Sequence, residues 1–236
     1  MTAAAAAGRL VTMARGRGRP GCLILPGAGG GLTPYLRLAS ELGRTHSVDF
    51  VRPSGLVPGE EPESTVADMA ESVLGMVEAA VPRLVIGWSL GGLVAWEVCA
   101  GLAEDGHRPD LVIIDSSPLP RVPEPGEDEW LRSRMVSDLG PAADAETVGR
   151  MERTFAAQAA ALTHYATESR YPGRLLLLVC SPYDEGGREA AVRRWRELAP
   201  DLELVRLDAG HYDVFEPAHL PRLAQAVHAF RNQDGR

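Results

Sequence analysis

The chain's 236 residues are enough for one sizeable α/β domain, spanning residues 1–236, that buries its core without a disulfide or metal staple. A formal charge of −8 argues against a nucleic-acid partner, and the fact that all 24 basic residues are arginine reads as genomic base bias rather than a functional device. Cys22, Cys99 and Cys180 sit far apart in apolar runs, no run approaches a membrane span, and the alanine tract precedes Arg9, Arg15, Arg17 and Arg19, the wrong charge order for a secretory signal; a soluble, cytoplasmic protein with buried free thiols is expected.

In chain order, residues 9–14 and 22–25 read as two strands joined by the Arg15-Gly16-Arg17-Gly18-Arg19-Pro20 turn. Pro26-Gly27-Ala28-Gly29-Gly30-Gly31 follows the second strand. It lacks both the Gly-x-Gly-x-x-Gly spacing and a Lys-Ser/Thr pair, so no nucleotide or other cofactor is expected on it. Its amides are better used facing a reaction centre. Thr33 as N-cap and Pro34 at the first helical position start a helix that ends at Gly43. Residues 46–51 form a third strand and 52–62 a loop rich in Pro, Gly and Glu. Thr65-x-x-Asp68 then resembles a capping box for a helix with Val66, Met69, Ala70, Val73, Val77 and Val81 on one apolar face.

The stretch from Leu84 to Ala95 is a short apolar strand, an abrupt turn and a helix that starts with small residues. Its Gly87-x-Ser89-x-Gly91 spacing is that of a nucleophile elbow. The serine must take a strained backbone conformation so that its hydroxyl stands clear of the sheet. Side chains at 87 and 91 would collide in so tight a turn, and Gly92 lets the helix start pack close to the strand. The Leu90 amide then lies at a helix N-terminus, where a free N–H and the positive end of the dipole favour an oxyanion; Ala28 offers the second donor. The helix reaches about residue 104, and 110–114 is an apolar run that delivers Asp115 at its end. Strands alternating with helices over short connections predict a parallel sheet with ligands beyond its carboxyl edge.

That rhythm breaks at Ser116. Pro118, Pro120, Pro123 and Pro125 give an extended lead into helical patterns over 128–139 and 144–169. An insertion over about 117–171 at the carboxyl edge of a sheet reads as a lid over a cleft. Residues 174–179 resume the sheet, followed by a helix over 188–199, a strand over 202–207, a loop carrying Gly210-His211 and a final helix over 220–231.

A serine hydroxyl is a poor nucleophile at neutral pH. It needs a base within hydrogen-bond reach, and the base needs an acid to fix its tautomer. Ser89, an aspartate and His211 stand at strand ends in that order, the order of α/β-hydrolases. His46, His107, His164, His219 and His228 fall on predicted strands, helices or exposed turns and read as packing or surface residues. For the acid, Asp115 ends the strand after the elbow, and Asp184 follows the next strand in Ser181-Pro182-Tyr183-Asp184. The pattern leaves both open. No metal site is expected.

Leu25-Pro-Gly-Ala-Gly-Gly30, Gly87-Trp-Ser-Leu-Gly-Gly92, Ile113-Ile-Asp115-Ser and Gly210-His211, in that order, resemble the thioesterase domains of nonribosomal peptide and polyketide synthases. The similarity extends from about residue 9 to the final helix. It implies an α/β-hydrolase fold, with a mostly parallel central sheet flanked by helices and a helical lid. It also implies a serine thioesterase that releases an acyl or peptidyl chain from the phosphopantetheine thioester of a carrier protein, by hydrolysis or cyclisation through an acyl-Ser89. In that family the acid maps onto Asp115 and the first oxyanion amide onto Ala28. Free-standing editing thioesterases, and carboxylesterases acting on carrier-bound acyl methyl esters, have their acid where Asp184 stands, so an esterase of the same fold is the second expectation. A non-catalytic binding protein is the third. Arg188, Arg193, Arg194 and Arg196 read first as a solvated helix face and second as a contact for an acidic carrier protein. The initial Met1 favours a free-standing protein over a piece of a synthase.

Overall fold

Residues 9–181 and 185–232 are described by a computed structural model. Its centre is a sheet of seven strands: β1 (Leu10–Ala14), β2 (Gly21–Leu25), β3 (Ser47–Val51), β4 (Leu84–Trp88), β5 (Asp110–Ile114), β6 (Leu175–Cys180) and β7 (Leu202–Leu207). Their order across the sheet is β1-β3-β2-β4-β5-β6-β7. β1 runs antiparallel to β3, and every other pairing is parallel. The helices are α1 (Leu36–Leu42), α2 (Val66–Val77), α3 (Leu90–Glu104), α4 (Glu127–Leu139), α5 (Ala145–His164), α6 (Glu185–Leu198) and α7 (Leu220–Arg231).

Strands buried on both faces must be apolar, which is why β2 and β6, and β5 from Leu111 onward, read as unbroken apolar runs. Alternate side chains feed two cores. Leu23, Val85, Leu111, Ile113, Leu175 and Leu177 face one side and pack with α2, α3 and α6, where Trp96 and Trp195 are fully buried. Ile24, Leu84, Ile86, Val112, Leu176 and Leu178 face the other and pack with α1 and α7. α3 is buried nearly all round, from Leu90 to Leu102, as befits the helix that follows the central strand.

From β2 the chain moves outward to β3, then crosses back to β4 on the opposite flank of β2. A crevice opens where the winding reverses, between the carboxyl ends of β2 and β4. The first strand end carries the Gly27–Gly31 loop and the second carries Ser89.

Three expectations are corrected at helix ends. Thr33 does not cap a helix. Residues Thr33–Tyr35 form a 3-10 turn that runs into α1, and its N-cap position falls on Leu32. Tyr35 anchors that tight turn: its buried ring packs against Phe50 and Phe215, and its hydroxyl accepts from the Gly27 amide at 2.9 Å. The Thr65 cap is made, its hydroxyl accepting from the Asp68 amide at 3.0 Å, but the helix stops before the half-buried Val81. α5 ends at His164 rather than 169. There the chain turns extended so that Tyr165 and Ser169 can donate to the two carboxylate oxygens of Glu97 on α3, at 2.7 and 3.2 Å. The three cysteines are free and buried, and burial pushes their thiols up. Among the described residues no helix is long and apolar enough to cross a membrane, and no His/Cys/Asp/Glu group is arranged to hold a metal ion.

A buried neutral imidazole ties stability to pH. His46 is fully buried (0% exposed), with Nδ1 2.9 Å from the Thr45 hydroxyl and Nε2 without a partner. Burial, with the Arg231 cation beside it, lowers its pKa from 6.5 to about 4. The unfolded chain therefore binds the proton first, and stability is lost as pH falls through that window. Urea unfolding near pH 7 and near pH 4.5 should show an acid-side loss to which His46 contributes on the order of 2–3 kcal/mol. His46→Leu should remove that share; an unchanged pH slope in the variant would contradict the assignment.

Candidate active site

Ser89 sits in the turn between β4 and α3 at φ 55, ψ −123, a backbone region that side chains seldom occupy. The surroundings hold it there. Its N–H donates to Ile114 O at 3.0 Å, and its carbonyl accepts from the Ser116 hydroxyl at 2.6 Å. The flanking glycines are required by contact. A Cβ on Gly87 would lie 2.1 Å from Gly91 O, while one on Gly91 would lie 2.2 Å from Leu25 O. The collision foreseen between positions 87 and 91 thus accounts for the first glycine. The second lets the helix start slide against the end of β2. Leu90 is the first residue of α3, so its N–H has no acceptor within the helix.

Asp115 follows β5, also at positive φ (47), with its amide donating to Leu178 O at 2.7 Å. This turns the carboxylate toward His211. Oδ2 accepts from His211 Nδ1 at 2.7 Å, and Oδ1 accepts from the Cys180 amide at 2.9 Å and from Arg188 at 3.1 Å. Burial works against its charge, but the hydrogen bonds from His211 and Cys180 and the cation of Arg188 outweigh it and hold the carboxyl below its usual range. An ionised Asp115 keeps the proton on His211 Nδ1 and leaves Nε2 as the basic nitrogen. Trp88 packs its ring 5.0 Å from that of His211, its indole N–H donating to His211 O at 3.2 Å, and the Tyr212 ring meets the imidazole edge-on at 4.7 Å.

Ser89, Asp115, His211 and Ala28 line one cavity of about 1090 Å³. No hydrogen bond joins the Ser89 hydroxyl to His211 among the described residues; such bonds are often long before a substrate tightens them. In the Gly27–Gly31 loop, Gly27 N donates to the Tyr35 hydroxyl and Gly29 N to Gln158 Oε1, whereas no described residue accepts from the Ala28 amide. The cavity's apolar wall comes from α4, α5 and α6, through Leu131, Met135, Met151, Phe155, Leu162, Val192 and Trp195. α4 buries none of its side chains and lies between two left-handed glycines, Gly126 (φ 82) and Gly140 (φ 76).

The other five histidines do not line this cavity. Asp184 lies outside the described residues. Arg188 departs from its reading as a solvated or carrier-facing cation. Its guanidinium turns inward to Asp115 and to the Cys180 carbonyl, because the start of α6 passes beside the ends of β5 and β6. Arg193 and Arg196 are exposed, and Arg194 pairs with Glu168 and Glu197. Nothing in the residue pattern distinguished Arg188 from its neighbours on the helix.

Residues 22–230 match the family described as "Thioesterase domain". The chain is 25% identical over 247 residues to the thioesterase frbE of Dothideomycetidae sp. (strain 11243), covering 91% of each. It is 29% identical over 128 residues to indigoidine synthase of Streptomyces lavendulae, a match over 53% of this chain and 10% of that much longer protein. A crystal structure of the NocB thioesterase domain in covalent complex with a fluorophosphonate nocardicin G analog superposes with a TM-score of 0.73 at 26% identity, covering 94% of this chain and 98% of that one.

If Asp115 orients His211, Asp115→Asn should leave the fold intact and lower turnover of an activated ester on the order of 10⁴-fold, by analogy with serine proteases. Asp184→Asn should cost far less. Steady-state kinetics on the two variants check this, and near-full activity in Asp115→Asn would transfer the role elsewhere.

Proposed function

Because the chain belongs to the thioesterase domain family, we propose that it is a serine hydrolase that releases an acyl or peptidyl chain from the phosphopantetheine thioester of a carrier protein. The observation that carries the reading is the 2.7 Å bond from His211 Nδ1 to Asp115, made at the wall of a cavity that Ser89 also lines. Its relatives support the substrate class, among them a protein named as a thioesterase and a second named as a synthase.

In the proposed reaction His211 Nε2 takes the Ser89 proton as Oγ attacks the thioester carbonyl. The negative charge that develops on the carbonyl oxygen is met by the amides of Ala28 and Leu90, and removing one such donor typically costs ~10²–10³ in rate. The tetrahedral intermediate collapses with loss of the pantetheine thiolate, which takes its proton from His211, and leaves an acyl-Ser89. Water, or a nucleophile within the acyl chain, gives its proton to His211 as it attacks the ester carbonyl, the same two amides hold the oxyanion, and His211 returns the proton to the Ser89 oxygen as the product leaves. A cavity of about 1090 Å³ lies just above the ~300–1,000 Å³ usual for ligand sites, which suits a long or bulky acyl group. Its apolar wall would shelter the acyl-enzyme from bulk water. Ser-His-Asp catalysis of this kind draws on no cofactor or metal.

An alkyl fluorophosphonate followed by peptide mass spectrometry should place one label on Ser89 and none on Ser89→Ala. Carrier-bound acyl thioesters should then be turned over faster than oxygen esters of the same acid. The reverse preference would favour a carboxylesterase, and absence of label would favour a binding protein. Product mass separates the two fates of the acyl-enzyme, since a ring closed by the chain is one water lighter than the free acid.

A further inference from the structure

α5 reaches the loop that carries Ala28 with a single polar side chain. Gln158 is 4% exposed on the face of α5 that also carries Phe155 and Ala159, and its Oε1 accepts from the Gly29 amide at 2.8 Å. A buried amide costs free energy wherever its hydrogen bonds are unmet, and an apolar residue would fill this helix face without that demand. The bond is long-range, spanning 129 positions, and it ends on a residue at φ +87. That conformation exposes the Gly29 N–H to the helix. A Cβ there would also lie 2.0 Å from Met135 Sδ, so both lid helices close on the same glycine.

The Gln158 bond is one of a pair. The Gly27 amide is tied to the Tyr35 hydroxyl at 2.9 Å, the Gly29 amide to Gln158 at 2.8 Å, and the Ala28 amide between them meets no acceptor among the described residues. Two peptide units are pinned on either side of the one that carries the Ala28 N–H, and that unit's own carbonyl, Gly27 O, accepts from Gly30 N at 3.1 Å, so the three bonds together fix its direction. Resting on the reading of Ala28 as an oxyanion donor, we propose that Gln158 is a positioning residue. It orients the Ala28 N–H and makes the oxyanion hole complete only when α5 is seated. It also occupies the Gly29 N–H, so that this loop offers one donor to the substrate rather than two that compete. The lid is thereby coupled to transition-state stabilisation as well as to the shape of the cavity.

Gln158→Met keeps length and volume and removes the acceptor. With the N-acetylcysteamine thioester of decanoic acid as probe, kcat should fall about 10–100-fold, less than for loss of a donor itself, while KM stays within about threefold. The rate of Ser89 labelling by an alkyl fluorophosphonate, whose phosphoryl oxygen takes the oxyanion's place, should fall by the same factor. Tyr35→Phe releases the other flank from a different element and should give the same kcat-specific loss, which keeps the test decisive if Gln158→Met does not fold. A purely structural role for Gln158 predicts a lower Tm with kcat unchanged, or a loss in KM alone; either result overturns the proposal. The two readings fail differently. A wild-type chain that takes no label at Ser89 defeats the proposed function, whereas equal labelling rates in wild type and Gln158→Met defeat this inference alone.

Discussion

A serine held at φ 55 and ψ −123 is the constraint on which the rest of the structure depends. Such a conformation costs on the order of 1–3 kcal/mol and persists only where neighbours over-determine it. Here they do, from three sides. β5 accepts the Ser89 amide through Ile114, Ser116 holds its carbonyl, and Gly91 presses α3 against the end of β2. The strain sets the hydroxyl at the crevice where the winding of the sheet reverses. A helix N-terminus lies behind it and a glycine loop opposite.

The two other groups proposed to act with Ser89 are positioned by the same sheet. Because β4, β5, β6 and β7 are parallel neighbours, their carboxyl ends open on one edge, and residues far apart in the chain arrive there together. Asp115 is fastened by the Cys180 amide at the end of β6 and by Arg188 at the start of α6 before it meets His211. That arrangement keeps the carboxylate ionised inside the protein, and an ionised carboxylate fixes which ring nitrogen of His211 carries hydrogen. Trp88, the residue before Ser89, packs on the same imidazole, so the Ser89 turn and His211 are joined by ring contact as well as by the sheet.

Much of this was legible in the residues because the signals are local. Short, largely apolar segments bounded by turn residues marked the seven strands, and Thr65 marked its helix start. The Gly87-x-Ser89-x-Gly91 spacing marked a turn that only small residues can make. What was not legible depended on contacts across the fold. Thr33 has the chemistry of a cap, but the burial of Tyr35 tightens that turn and moves the helix start. α5 looked longer because Tyr165 continues its apolar face; in the structure Glu97 on another helix draws that segment out straight. Arg188 shares its helix and its chemistry with Arg193, Arg194 and Arg196, and only the packing of α6 beside β6 turns it inward. Gln158 carried no signal, since one glutamine in an alanine-rich helix has nothing in sequence to mark its partner 129 positions away. The choice between Asp115 and Asp184 was open in the pattern for the same reason: both follow parallel strands. The hydrogen bond to His211 belongs to Asp115, and Asp184 lies outside the described residues.

The central claim is that one carbonyl oxygen is met by the Ala28 and Leu90 amides while His211 Nε2 faces the Ser89 oxygen. A crystal structure of the Ser89 adduct with an alkyl phosphonate tests it most directly. The account predicts a phosphoryl oxygen within hydrogen-bond distance of both amides, His211 Nδ1 still on Asp115, and Nε2 directed at the ester oxygen of Ser89. A phosphoryl oxygen turned to solvent, or a His211 ring that cannot reach Ser89 in the adduct, would contradict it.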